Sequence, residues 1–306
     1  MKVLVTGSSG QLGSYACERL CDRHEILGLD LKRPIATGIE TVIGDIRKRD
    51  DVRQAISDVD VVVHCAAQVS VERSMVDPIS DAETNVLGTI NLLHESAGAG
   101  VSRFVYVSSA AVLGNPKYIP ADELHPTEPT SNYGASKLAG ERFALAYAHS
   151  HGMEVVAVRP FNFYSPRADP SSPYSGVITR FTERVKDGKA PVIEGDGEQT
   201  RDFIHASDVA DFLGIVAEKD DVSGEVFNCG SGVSTSVLEL ARLVVALKGL
   251  ELEPEHVGES VLADFTLESR EGGYFRNLFQ LSEFLLEPHY SASFLYFSTI
   301  RSQPVD

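Results

Sequence analysis

Tyr133 and Lys137 stand four residues apart in the run Tyr133-Gly134-Ala135-Ser136-Lys137. On a helix that spacing puts a phenol and an ammonium on one face. A phenol with its ordinary pKa of about 10 is a poor base near neutrality. A positive charge beside it stabilises the phenolate and lowers that pKa. Such a pair could take a proton from a substrate hydroxyl and give it back. Ser109, in Ser108-Ser109-Ala110 after the apolar run 104–107, could orient that hydroxyl. A Tyr and a Lys at this spacing also make ordinary surface pairs. The catalytic reading of Ser109, Tyr133 and Lys137 therefore depends on the motifs around them.

The first such motif is Thr6-Gly7-Ser8-Ser9-Gly10-Gln11-Leu12-Gly13. It follows the strand-like run Val3-Leu4-Val5 and opens a helical pattern over 11–21. Glycines here permit a tight turn and bring backbone N–H groups close to a pyrophosphate, which sits at the positive end of the helix. Gly7, Gly10, Gln11 and Leu12 are the expected contacts. Asp30 closes the second strand, 20 residues after Gly10. An acid there bonds the adenosine ribose and repels a 2′-phosphate, so NAD is the expected cofactor. Its oxidised nicotinamide would join Lys137 in lowering the Tyr133 pKa.

These residues need a scaffold that gathers strand ends. Short apolar runs at 26–31, 41–43, 59–63, 104–107 and 154–158 alternate with helical patterns at about 49–57, 80–97 and 133–149. Strands of near-continuous Val and Ile alternating with helices predict an α/β fold, a doubly wound parallel sheet with its ligand at the carboxyl ends of the strands. After Arg159 the pattern changes. Residues 161–175 read as a long loop, followed by a helix over 176–186, a strand at 191–193, a turn at 194–198 and a strand at 201–205. Ser207 is the expected cap of a helix over 208–218, and Ser236-Val237-Leu238-Glu239 has the form of a capping box. The expected division is a dinucleotide-binding domain of 1–160 plus about 203–229. A smaller substrate-binding domain takes about 161–202 plus 230–306.

Composition narrows the partners. The 306 residues carry 27 Lys and Arg against 44 Asp and Glu, a formal charge of −17. That balance argues against nucleic acid, whose phosphates need clustered cations, and against an anionic membrane surface. Apolar stretches are too short and too interrupted to span a bilayer, and the N-terminal run before Gly7 is too short for a secretion signal. Cys17, Cys21, Cys65 and Cys229 form no CxxC and no group with histidines. The expectation is a cytoplasmic enzyme with neither structural disulfides nor a metal site.

The GxxGxxG spacing, Tyr133-Gly134-Ala135-Ser136-Lys137 and Ser109 together resemble the extended short-chain dehydrogenases and reductases, a Rossmann-fold family. Within it, Arg159-Pro160-Phe161-Asn162-Phe163-Tyr164-Ser165-Pro166-Arg167 and Gly195-Asp196-Gly197-Glu198-Gln199-Thr200-Arg201-Asp202-Phe203-Ile204-His205 resemble segments of the NAD-dependent epimerases and dehydratases of nucleotide sugars. The resemblance implies that Asp45 and Ile46 lie at the adenine, and that Ala66 and Ala67 flank the cofactor ribose. Asn85 would support the site from the middle helix, and Lys137 would also bond the nicotinamide ribose. It implies that Asn162 and Arg201 hold a substrate diphosphate; an ion pair of Arg201 with Asp202 or Glu198 is the alternative. The loop ending at Val177 would cover the nucleotide, and Arg270 would be a second diphosphate arginine.

In the 4,6-dehydratases of this family an Asp-Glu pair follows the strand-five serine; here the positions are Ala110 and Ala111. The sugar C6 dehydrogenases use a catalytic cysteine, and only Cys65 lies near. The remaining reaction is C4 epimerisation of a UDP-hexose, UDP-glucose with UDP-galactose. The alternatives are a UDP-N-acetylhexosamine epimerase, a nucleotide-sugar oxidoreductase, or a catalytically silent NAD-binding regulator. The resemblance weakens beyond about residue 248. It also implies a homodimer through helices near 84–98 and 133–149, using Leu92, Leu93, Phe143, Ala144 and Tyr147, although the same residues could pack on the sheet.

Overall fold

A computed structural model describes residues 1–35, 38–170 and 176–258. The chain opens with β1 (Lys2–Thr6), α1 (Gln11–Leu20), β2 (Glu25–Asp30), β3 (Glu40–Ile43), α2 (Arg49–Ala55) and β4 (Val61–His64). There follow α3 (Val71–Val76), α4 (Pro78–Ala82), a π-helical turn Glu83–Gly88, α5 (Thr89–Ala99), β5 (Arg103–Val107), α6 (Asn132–His151) and β6 (Glu154–Pro160). The second half comprises β7 (Asn162–Tyr164), α7 (Val177–Lys186), β8 (Val192–Glu194), β9 (Thr200–His205), α8 (Ala206–Glu218), β10 (Val226–Cys229), β11 (Ser234–Ser236), α9 (Val237–Leu247) and β12 (Glu255–Val257).

Seven strands form one parallel sheet in the order β10-β6-β5-β4-β1-β2-β3. The order reverses between β1 and β4, which leaves a crevice beyond their carboxyl ends. Alternate residues of each strand serve opposite cores. Val3 and Val5 join Ala16, Leu20, Val209 and Leu213 on one face; Leu4 joins Val52, Leu92, Leu93 and Ala144 on the other. Burial on both faces is why these strands read as unbroken apolar runs rather than alternating ones.

A third core holds the smaller lobe together. Ile178, Phe181 and Val185 of α7 meet Leu240, Ala241 and Val244 of α9, with Ile193 and Phe203 between them. Its sheets are short: β11-β9-β7 and β12-β8. Arg167 ties the lobes at the rim. Its guanidinium lies 3.9 Å from the Tyr15 ring centroid and bonds Ser14 and Glu18 of α1.

Several expectations need correction. The stretch read as a loop from 161 contains β7, because Asn162–Tyr164 finds an edge partner in β9. The single helix expected over 80–97 is broken into α4, the π turn and α5. The cap of α8 is His205, whose ring accepts the Ser207 N–H at 3.2 Å, so Ser207 is the second residue of the helix rather than its cap. Strand β10 was not expected, since Val-Phe-Asn-Cys is no apolar run, yet it pairs with β6 and completes the sheet. The capping box at Ser236 and Glu239 is formed.

One ion pair pins α6 to the sheet. Arg159, on β6, is 2 % exposed and Glu141, on α6, is fully buried. They make a two-pronged bond at 2.7 and 2.9 Å, and Glu141 also accepts from the Ser108 hydroxyl at 2.7 Å. A buried pair of this kind adds little net stability, but breaking it strands a charge. Glu141→Gln should lower unfolding free energy by about 3–5 kcal/mol in urea titration. The paired change Glu141→Leu with Arg159→Met should cost clearly less; a larger loss would contradict this account.

Candidate active site

The crevice begins with a turn that only glycine can make. Gly7 has φ +67°, and a Cβ there would lie 2.8 Å from the Ala66 backbone nitrogen. A Cβ on Gly13 would strike the Gly7 carbonyl, so α1 packs directly on the turn. Gly10 caps α1 in extended backbone with no side-chain bond, leaving the first-turn amides, those of Gln11 and Leu12 among them, for an anion. Asp30 accepts the Ser9 N–H at 2.9 Å and the Lys32 N–H at 3.0 Å, which holds its carboxylate at the lip of the turn. A close-packed glycine turn, an uncapped helix start and an acid after β2 fit a dinucleotide that carries a free ribose 2′-hydroxyl.

Not every expected contact reaches the crevice by its side chain. The Asp45 carboxylate is held by Arg47 at 2.6–3.0 Å, and this bonding keeps it below the usual carboxylate range. Ile46 is buried in the core beside Gly88. Ala66 and Ala67 follow β4 and are half-buried. Asn85 is 1 % exposed. Its amide clamps the Gln68 backbone, accepting from its N–H at 2.8 Å and donating to its carbonyl at 2.9 Å, and also donates to Ser136 at 3.0 Å. Asn85 thus shapes the strand end that carries Ala66 and Ala67. The π turn that breaks the helix is where it sits.

A neutral relay runs beneath. The Thr89 hydroxyl donates to the Asn85 carbonyl at 2.7 Å, so toward His64 it accepts, from the Nε2–H at 3.0 Å. The His64 Nδ1 then accepts from the Thr6 hydroxyl at 2.7 Å, and Thr6 Oγ1 accepts the Ala66 N–H at 3.2 Å. Burial, aided by the Lys137 charge, pushes the His64 pKa down to about 3.

Tyr133 and Lys137 both stand on α6. Ser131 caps this helix by accepting the Gly134 N–H at 3.0 Å, and Gly134 lies against the Ala111 carbonyl, where a Cβ would come within 2.6 Å. The Tyr133 N–H donates to Ser74 Oγ of α3 at 3.0 Å. Lys137 is 4 % exposed, its ammonium 4.5 Å from the Tyr106 ring centroid. Burial pulls its pKa down to about 8, while Cys65, Asp81 and Glu141 act to raise it. Burial raises Tyr133 above its ordinary value; a hydrogen bond with Ser109 opposes this, and the Asp81 charge adds to the rise. Ser109 is anchored by accepting the Ala111 N–H at 3.1 Å. Burial also pushes Cys65 up to about 12, which keeps it a thiol.

Ser109, Ala110, Ala111 and Tyr133 line a cavity of about 270 Å³ together with the wall of Pro160, Phe161, Asn162 and Arg201, and Glu72 of α3 lines it too. Buried Asp202 fixes that wall by accepting from the Ser231 N–H, the Ser231 hydroxyl and the Gly232 N–H at 2.6–2.8 Å. The Asn162 amide donates to the Asp202 carbonyl at 3.2 Å. Val177 opens α7 and packs on the smaller lobe's core. Arg270 lies outside the described residues. The residues not anticipated are Glu72, Ser74, Gln68 and Asp81; the signal for the first two was the serine cap at Ser70, six residues after the end of β4.

Residues 3–230 match the model of the NAD dependent epimerase/dehydratase family. A putative UDP-glucose 4-epimerase of Methanocaldococcus jannaschii is 38 % identical over 250 residues, covering 79 % of this chain and 81 % of its own. A dTDP-glucose 4,6-dehydratase of Streptomyces niveus is 32 % identical, with 80 % and 77 % covered. Among solved structures, the Thermotoga maritima UDP-glucose 4-epimerase with UDP-glucose has a TM-score of 0.88 at 28 % identity, covering 93 % of this chain and 97 % of that one. The Thermus thermophilus UDP-glucose 4-epimerase complex with NAD has a TM-score of 0.81 at 31 % identity, with 91 % and 92 % covered. A UDP-N-acetylglucosamine 4-epimerase of Methanobrevibacter ruminantium has a TM-score of 0.85 at 27 % identity, with 93 % and 96 % covered.

The chain belongs to the NAD-dependent epimerase/dehydratase family, and NAD is its cofactor. It is an enzyme of nucleotide sugars within that family.

The relay predicts a pH dependence. The folded state holds His64 neutral down to about pH 3, while an unfolded histidine takes a proton below its ordinary 6.5. The stabilisation is complete above 6.5 and is lost progressively as pH falls from 6.5 toward 3, a loss on the order of a few kcal/mol. Urea titrations across this range should show that slope, and His64→Gln should flatten it; an unchanged slope would contradict the assignment.

Proposed function

We propose that the protein interconverts UDP-glucose and UDP-galactose by inverting carbon 4 of the sugar. The observation that carries this reading is one cavity lined by Tyr133, Ser109, Asn162 and Arg201, with Lys137 buried one turn along α6 from Tyr133.

Tyr133 takes the proton of the sugar 4-hydroxyl, and Ser109 holds that oxygen in line. Lys137, whose ammonium is shielded from water, stabilises the phenolate. NAD, when bound, accepts the hydrogen of carbon 4 with its electron pair and later returns it. Asn162 and Arg201 hold the diphosphate, a forked guanidinium being suited to paired anionic oxygens. Held only there, the 4-keto sugar can turn and present its other face, and Tyr133 gives the proton back. Ala110 and Ala111 put no acid or base where a dehydratase would place its Asp-Glu pair.

The likeness to a UDP-N-acetylglucosamine 4-epimerase favours a second reading, in which an N-acetylhexosamine is the sugar. We further propose a homodimer. Of the residues expected at its interface, Leu92, Leu93 and Ala144 are buried in the core and Tyr147 packs half-buried against it, which leaves Phe143, with Leu87 nearby in sequence to α5, as exposed apolar candidates. No helix among the described residues is long and apolar enough to cross a membrane.

NAD-loaded protein, assayed without added nicotinamide, should convert UDP-galactose to UDP-glucose. Tyr133→Phe should lower kcat by about 10³-fold while NAD retention through gel filtration stays near that of the parent. A loss below about tenfold, or absence of turnover with any UDP-hexose, would contradict the reading.

A further inference from the structure

Glu72 brings a negative charge into the cavity that holds Ser109, Tyr133 and Arg201. It is placed there by structure rather than left loose. The Ser70 hydroxyl donates to a Glu72 carboxylate oxygen at 3.0 Å and accepts the Arg73 N–H at 3.0 Å as cap of α3. The Ser70 N–H in turn donates to the Gln68 side chain at 2.6 Å, and Gln68 is bonded to Asn85 and Asp81. The far end of α3 is docked on the catalytic helix through Ser74, which accepts the Tyr133 N–H. The same helix thus positions Tyr133 and Glu72.

Arg201 is the cationic residue on this wall, and a diphosphate would occupy it. A sugar lying between Tyr133 and α3 would face the Glu72 carboxylate with no cation from the cavity lining between them. Like charges at such range repel, and because Glu72 is exposed at the cavity edge, water and salt screen part of that repulsion.

We propose that Glu72 is a charge filter for the sugar, admitting neutral hexoses and rejecting hexuronic acids, whose carbon 6 is a carboxylate. This rests on the nucleotide-hexose reading above and deepens it. UDP contributes the same charge in either ligand, so the filter appears in the difference between them.

The test measures binding of UDP-glucose, UDP-glucuronic acid and UDP to NAD-loaded parent, Glu72→Gln and Glu72→Asp proteins, with turnover of UDP-glucose followed in parallel. In the parent, UDP-glucuronic acid should bind at least about tenfold more weakly than UDP-glucose, and added salt should narrow the gap. Glu72→Gln should close the gap by about tenfold, whereas Glu72→Asp, which keeps the charge, should preserve most of it. Taking the ratio of the two sugars within each variant removes any general loss of fold or UDP affinity. A parent that turns over UDP-glucose yet binds both sugars alike overturns the filter and leaves the epimerase reading standing; so does a gap that survives Glu72→Gln. A parent that neither binds nor turns over any neutral UDP-hexose overturns the reading and the filter with it.

Discussion

The site depends on an ammonium kept out of water. Lys137 is buried over the Tyr106 ring, and burial alone would drive its proton off. Cys65, Asp81 and Glu141 around it work against that loss. In the proposed reaction, an ammonium in such a setting would act on a Tyr133 phenolate more strongly than a solvated one. Much of the neighbouring structure keeps this arrangement in place: Tyr106 donates from its hydroxyl to the Lys137 carbonyl, Ser136 spans Asn85 and Tyr133, and Glu141 locks the next turn of α6 to Arg159.

The two lobes divide the work by their packing. The large sheet places Gly7 and Ala66 in near contact at the point where strand order reverses, and it carries Ser109 at the end of β5. The smaller lobe supplies Asn162 and Arg201 from adjoining strands braced by Asp202. Beyond its own apolar core, the strand pair that carries this wall also reaches the large sheet's core, with Ile204 of β9 inside it and Phe163 of β7 packed against it, so both cores set the cavity wall.

Much of this was legible in the residues themselves. Unbroken apolar runs, buried on both faces of the sheet, made β1, β4, β5 and β6 plain, and the glycine turn and the helix bearing Tyr133 and Lys137 lie where their spacing predicts. Strands β7 and β10 were not legible, because short, mixed segments become strands only when an edge offers partners. Asn85 was placed near the site, yet its action through Gln68 depends on a π turn that sequence does not announce. Glu72 and Asp81 were missed for a related reason: a lone acid on a short helix looks like solvated surface until the fold brings it to a cavity or buries it.

The central claim is that Lys137, with oxidised NAD, makes Tyr133 a base. It is tested most directly by titrating the phenolate absorbance of the protein with and without NAD, taking Tyr133→Phe as the blank. The account predicts a Tyr133-dependent phenolate that forms above the ordinary tyrosine range without the cofactor, forms at lower pH with it, and is shifted back upward by Lys137→Met. A Tyr133 titration that neither NAD nor Lys137→Met displaces would contradict it.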